Sequence, residues 1–326
     1  MKRSEHGTVM IAALLLVALM AAVAVQLVDL SRFAVLRTTA ADARGQAYWY
    51  ARGARDFAES VLINAGDPRR EVMRPDEVWL SGPQLFPIEG GQITGRISDG
   101  NNCFNINALA DGGAETVTNA DPERARATFR ALLREIGAPA GAGERLAGQI
   151  IDWIDADDDP EPGGAEDAEY ARFSPPYRAA NRAFTELEEL LALPEMTPEF
   201  YAVLKPWLCV RPVFEQPDLN PNTLRLDQGA LLAAQFDGRL SASDAEAVLF
   251  RRPPDGYDAL EAFFADPLIA RLNLEPAERE GFALRSRWFD MEVAVTFDEA
   301  RFTLSQLAEL DEAGRIRRRG ERFGTW

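Results

Sequence analysis

MKRSEHGTVMIAALLLVALMAAVAVQLV, residues 1–28, decides how the chain is organised. No residue from Thr8 to Val28 is charged. A helix of that length rises about 30 Å, the thickness of a bilayer's hydrocarbon core. Lys2 and Arg3 precede the run and place the N-terminus on the cytoplasmic side. The remainder then lies across the membrane. A removable secretory signal carries a shorter apolar region, about 7–15 residues, ending at a small-x-small site. Here the helical pattern runs on through QLVDLSRFAVLRTTAADARGQAYWYARGARDFAESVLINAG, residues 26–66. Leu27, Leu30, Phe33 and Ala34 keep helical spacing, as do Ala47, Tyr50, Ala54, Phe57, Ala58 and Val61. Alanine, leucine and arginine also favour helix. The expectation is one uncleaved anchor helix, with residues 8–28 in lipid and Gln46 to Ile63 packing a stripe on a folded body.

Outside the anchor, the chain is acidic. Its 326 residues carry a formal net charge of −17, which repels a phosphate backbone and argues against a general nucleic-acid binder. Arg315, Arg317, Arg318, Arg319 and Arg322 crowd the C-terminus, as a charged strand edge or as a docking patch for an acidic neighbour. His6 is the only histidine, so the folded part has no Ser-His-Asp, Cys-His or histidine-metal chemistry. The two cysteines, Cys103 and Cys209, are too few for a tetrahedral zinc site. In an extracytoplasmic compartment a disulfide between them is the natural reading, with two unpaired buried thiols as the alternative.

Beyond Pro68 the pattern turns to strands. EVWLSG, QLFPIEG and GQITGRISDG predict two or three strands between Glu77 and Asn107, with Gly90-Gly91 as a hairpin turn. Asp121-Pro122 opens an amphipathic helix. GAPAGAG, residues 137–143, lacks the lysine and hydroxyl of a phosphate loop and reads as a connector. Short helices are expected at Thr185–Leu193 and Pro198–Leu204, then two more joined at Phe236-Asp237-Gly238, with Ser241 or Ser243 as the second N-cap. From Gly281 apolar and polar residues alternate again, predicting strands that complete the first sheet, with a turn at Glu312-Ala313-Gly314.

IIDWIDADDDPEPGGAEDAEY, residues 150–170, holds nine carboxylates. Such a loop beside Trp153 and Ile154 needs counter-charge, and an oxygen-only donor set suits Ca²⁺. Asp155, Asp157 and Asp159 have the alternating spacing of an EF-hand, with Glu166 at its twelfth position. Pro160 stands where that loop needs glycine, so a different calcium loop is expected, a solvated acidic loop being the plain alternative.

Two sets of motifs resemble known families. The short basic leader ending in Gly7, followed at once by an apolar helix, resembles the signal of type IV pilins and pseudopilins. The resemblance implies cleavage after Gly7 by a prepilin peptidase and a mature start at Thr8. Ala12 replaces the usual glutamate at mature position five, a carboxylate costly in a bilayer unless paired with a neighbour's terminal amine. A subunit without it suits a fibre tip. Thr8 also departs from the usual phenylalanine or methionine, which leaves N-methylation open. D-W-I-D-x-D, G-A-E-D-x-x-Y and P-P-Y-R-A-A-N, together with QAYWYA (46–51), CFNINAL (103–109) and LNPNT (219–223), resemble general secretion pathway protein K, the large minor pseudopilin of type II secretion. This implies a pilin-like α/β (α+β) fold with an all-helical domain inserted in its sheet, binding Ca²⁺ through Asp155, Asp157, Glu166 and Asp167, with Asp159 added on spacing. It implies a non-enzymatic role at the tip of a periplasmic pseudopilus in the inner membrane. The implied partners are minor pseudopilins I and J, with H a further candidate, the major pseudopilin and the prepilin peptidase, and no nucleic acid.

The expected segments are a leader at 1–7, a membrane helix at 8–28, pilin-like parts at 67–107 and 276–326, and a helical insert at 108–275. Two rival readings are a membrane-tethered calcium-dependent hydrolase, with Asp155 and Glu166 as acid and base, and a helix-hairpin-helix DNA-uptake protein.

Overall fold

A computed structural model describes residues 6–65, 67, 70, 72–111 and 121–324, with side chains from Val9 onward. Lys2 and Arg3 lie outside the described residues, and for Gly7 and Thr8 only the helical backbone is described. Helix α1 runs unbroken over His6–Ala65, about 90 Å at 1.5 Å per residue. Residues 9–42 are exposed on every side, as a lipid-facing and then free-standing helix must be. Burial begins at Ala43 and continues at Ala47, Ala51, Arg55, Leu62 and Ala65. The first three are methyl-sized, so the helix backbone lies close on the sheet. The packed face is turned from the expected stripe. Phe57, expected inside, is 58% exposed, while Ala51 and Arg55 face inward. Alanine's small side chain carries little hydrophobic signal, and Arg55 is ion-paired to Asp56 and Glu321.

The sheet is antiparallel throughout, in the order β1-β2-β5-β6-β7. Its strands are β1 (Gln84–Ile88), β2 (Gly91–Asp99), β5 (Trp288–Phe297), β6 (Ala300–Leu310) and β7 (Ile316–Gly324). The β1–β2 turn is Glu89-Gly90, with Gly90 at φ +82°, and Gly91 is already the first residue of β2. A Cβ on Gly91 would lie 1.8 Å from the Thr296 carbonyl oxygen, so the close β2–β5 approach requires glycine there. EVWLSG is not a strand. Val78–Leu80 is a 3₁₀ turn that drops Trp79 edge-on against Phe289, ring centroids 5.4 Å apart. The terminal arginines sit on edge strand β7, or just before it in the case of Arg315, and are tied to the protein's own acids. Arg318 pairs with Glu59 and Asp56, Arg319 with Glu309, Arg317 and Arg315 with Asp311, and Arg322 with Glu186 and Glu188.

The helical body fills the gap between β2 and β5. Its core runs from Phe104 to Leu284, so the boundaries expected at 108 and 275 fall inside it, and CFNINAL belongs to it. The body contains β3 (Phe104–Asn105), α2 (Pro122–Glu135), α3 (Ala142–Ile154), α4 (Asp167–Tyr170), α5 (Pro198–Leu204), β4 (Leu208–Cys209), α6 (Gly229–Ala234) and α7 (Ala242–Phe250). Asp121 caps α2 and Ser241 caps α7 through side-chain acceptance of a backbone N–H. Thr185–Leu193 contains only a 3₁₀ helix, Leu187–Ala192. β3 and β4 form a parallel pair, and Cys103 and Cys209 beside it form a disulfide with Cα atoms 5.8 Å apart. Buried asparagines stitch the body to the sheet. Asn101 accepts from the N–H groups of Arg287 and Trp288 and donates to the Asp218 carbonyl. Asn220 donates to Ser286, and Asn222 donates to the carbonyls of Met73 and Tyr257.

Candidate metal centre

The acidic segment begins as the last turn of α3, whose residues Leu146 to Ile154 are all buried. Asp152 is fully buried inside that run. Its Oδ1 accepts the Glu161 N–H at 3.0 Å, and the Ala165 N–H also faces the carboxylate. This draws the loop back over the helix end. The loop passes so closely that a Cβ on Gly164 would lie 1.9 Å from Asp152 Oδ2. Asp155 is the extended C-cap of α3 and Glu166 the extended N-cap of α4, so the two stand at opposite ends of the loop, which the fold brings together.

One carboxylate oxygen each from Asp155, Asp157 and Glu166 gathers within 4.8 Å. The other two expected ligands stand apart. Asp159 is exposed and turns its backbone toward the cluster, its N–H donating to Asp157 Oδ1 at 3.0 Å. Asp167 accepts the Ala179 N–H at 3.1 Å and faces Arg178 at 3.5 Å. The alternating spacing does not carry through to Asp159, whose side chain is exposed and outside the converging group.

The cluster's electrostatics fit a cation. Asp155 Oδ1 and Glu166 Oε1 are buried and meet no hydrogen-bond donor. Burial pushes the Asp155 carboxyl up to about 6, with the charges of Asp157, Asp152, Glu161 and Asp111 adding to it. Burial pushes Glu166 up to about 7, reinforced by Asp152, Asp155, Asp158 and Asp157. Each ionised carboxylate lacks a hydrogen-bond partner among the described residues that would offset its desolvation, and a divalent ion would supply that compensation. All-oxygen donors suit Ca²⁺ over softer metals. The same raised values suit an acid–base pair, but the two carboxylates converge with Asp157 on one point, as the ligands of an ion do. Beneath the loop, Trp153 packs on Tyr170 and Phe184, ring centroids 5.4 and 6.0 Å away. Asp152 was not among the expected residues. Its signal was a lone acid within the apolar run I-I-D-W-I, which must find backbone donors to be buried there.

In the α6–α7 hairpin Asp237 sits at φ +46° and pairs with Arg134 at 2.9 Å, placing an acid where a DNA-binding hairpin presents amides to phosphate.

Comparison with known proteins agrees over most of the chain. Family profiles described as "Type II secretion system (T2SS), protein K" match residues 102–213 and 219–285. The type II secretion system protein K of Pectobacterium carotovorum subsp. carotovorum is 33% identical over 95% of this chain and 94% of its own length. That of Klebsiella pneumoniae is 30% identical over 97% and 95%. Among solved structures, a chain from the GspK-GspI-GspJ complex of the enterotoxigenic Escherichia coli type 2 secretion system superposes with a TM-score of 0.75. It is 28% identical, and the match covers 88% of this chain and 99% of that one.

Proposed function

The chain belongs to the type II secretion system protein K family, and from that premise we propose how its parts serve an assembled pseudopilus. It is a minor pseudopilin of type II secretion, a structural component anchored by one apolar N-terminal helix. The anchor sits in the inner membrane with its N-terminus in the cytoplasm and the folded bodies in the periplasm. A prepilin peptidase cuts after Gly7, and the mature chain starts at Thr8. Ala12 gives that chain no carboxylate to pair with a subunit above it, which places it at the fibre tip. Below it stand minor pseudopilins I and J, then the major pseudopilin. The role is assembly and not catalysis. One observation carries this reading: a TM-score of 0.75 over 88% of the chain to a protein solved with GspI and GspJ.

Ca²⁺ belongs to the helical body in this reading. Asp155, Asp157 and Glu166 would hold it, and its charge would balance theirs. Asp152 helps to keep the loop folded over α3 by accepting the Glu161 N–H.

The test is co-purification of the full chain with its organism's I and J subunits. A ternary complex is expected, and its absence in the presence of Ca²⁺ overturns the assignment. Mass spectrometry of the processed chain should give a start at Thr8. A start elsewhere sinks the cleavage proposal alone.

A further inference from the structure

β2 is longer than its neighbour. β1 pairs only with Gly91 to Gly95, so Arg96 to Asp99 form a free edge on that side. The turn around Leu80 and the helical body's segment near Thr223 close over this edge and leave a cavity of about 470 Å³. Three arginines line it, Arg96 from the sheet and Arg225 and Arg252 from the helical body. In a chain of net charge −17 this is a concentration of positive charge at the seam between the two bodies.

The acids do not neutralise it. Arg252 Nη1 donates to the carbonyls of Pro221 and Leu224 at 2.8 and 2.7 Å, and Arg252 makes no ion pair among the described residues. Burial pushes its guanidinium below the ordinary arginine range. Arg96 likewise makes no ion pair, although Glu292 stands opposite it in register on β5. Among the described residues only Arg225 of the three has an acid partner, the exposed Asp227 at 3.0 Å. The one carboxylate lining the cavity, Asp99, is taken up by Thr223, Ser286 and the Asn101 N–H. A half-buried guanidinium held only by carbonyls keeps its charge uncompensated, and its remaining N–H donors suit the paired oxygens of a carboxylate or phosphate.

We infer that the seam between sheet and helical body is an oxyanion receptor, in which Arg96 and Arg252, supported by Arg225, clasp a carboxylate or phosphate group. The group comes either from a free anion or from an acidic side chain or C-terminus of a neighbouring subunit.

The experiment uses the full chain in detergent with Ca²⁺ present. Melting is followed in sodium phosphate, sodium malonate and sodium chloride at equal ionic strength. Affinity for the I and J subunits is measured alongside. The variants are Arg96→Gln, Arg252→Gln, the charge-keeping Arg252→Lys, and Arg301→Gln as an exposed control on β6. If the anion is free, phosphate or malonate raises the melting temperature of the wild type by about 2 °C or more over chloride, and Arg96→Gln loses the shift. If the group is a partner's carboxylate, Arg96→Gln weakens the complex about tenfold or more, as expected for a charge contact across an interface. In either case Arg301→Gln behaves as wild type and Arg252→Lys keeps part of the effect. The Arg96 side chain makes no hydrogen bond or ion pair among the described residues, so its variant remains informative even if Arg252→Gln fails to fold. Anion shifts no larger than those of chloride, with an unchanged complex affinity in Arg96→Gln, overturn the proposal. Failure of the wild type to bind I and J would count against the assembly reading and leave the free-anion arm standing.

Discussion

The acidic loop shows what a single residue can and cannot announce in sequence. Composition marked residues 150–170 as a place needing counter-charge, and three of the five expected ligands do converge. Of the other two, Asp159 was added on spacing, which is blind to the direction a side chain takes, and Asp167 came from the family resemblance, whereas here it accepts the Ala179 N–H. The arrangement makes a prediction with a definite sign. Glu166→Gln removes one of several carboxylates that repel one another, so the metal-free variant melts above the metal-free wild type at pH 8. With Ca²⁺ the order reverses, because the wild type gains binding energy, about 2.7 kcal/mol at a hundredfold excess over Kd, and the variant loses most of it. Paired thermal melts with EGTA and with CaCl₂ read both terms, and equal melting in the two buffers would remove calcium from the account.

A second residue-scale prediction concerns pH. Glu309 is 3% exposed, and burial alone would raise its pKa, but the guanidiniums of Arg287 and Arg319 outweigh that and hold it below the ordinary value of 4.5. A lowered folded pKa means the contact's stability is fully present above 4.5 and is lost as pH falls through the folded value. Glu309→Gln should therefore cost about 1.5–3 kcal/mol at pH 7, the range for hydrogen bonds to charged groups. The gap to wild type should narrow progressively as the pH is taken below 4.5, which urea titrations at pH 7 and at a series of acid pH values would show.

Whole elements were the most legible scale. The length of α1, the β1–β2 hairpin, the helix caps at Asp121 and Ser241 and the three C-terminal strands all follow from periodicity and turn chemistry. What stayed hidden has no period. The 3₁₀ turn at Val78–Leu80, the two-residue β3 and β4 and the asparagine side chains that bridge distant segments are set by tertiary partners. Gly91 tests the element scale. It reads as a turn glycine, but its need arises inside β2, where a side chain meets the Thr296 carbonyl of the neighbouring strand. Gly91→Ala should destabilise by about 1–3 kcal/mol, as overpacking does. Gly90→Asn, at φ +82° in a turn that tolerates asparagine, should cost less. Chemical denaturation of both variants checks the order, and a Gly90 cost exceeding that of Gly91 would mean the turn governs the hairpin.

At the scale of the whole molecule, the chain is an exposed rod joined to a two-part body, and the junction is sharp. Residues 9–42 contribute nothing to the buried core, and the first inward side chain is Ala43. The long apolar face at Val9 to Leu36 is therefore surplus to the fold and meaningful only in a bilayer or against other helices. This separates two roles that one continuous helix could have confused. If α1 holds the body together only from Ala43 onward, a chain starting at residue 41 keeps every buried contact. It should then be soluble without detergent and melt within about 2 °C of the full chain at the same Ca²⁺ concentration, since a change that touches no buried group rarely exceeds 0.5 kcal/mol. A chain starting at residue 56 loses Ala43, Ala47, Ala51 and Arg55 from beneath β5 and β6 and should melt far lower or aggregate. Differential scanning calorimetry of the two truncations distinguishes a helix that only anchors up to residue 42 from one that stabilises the body along its whole length. Equal loss in both would mean that the free-standing segment orders the sheet at a distance.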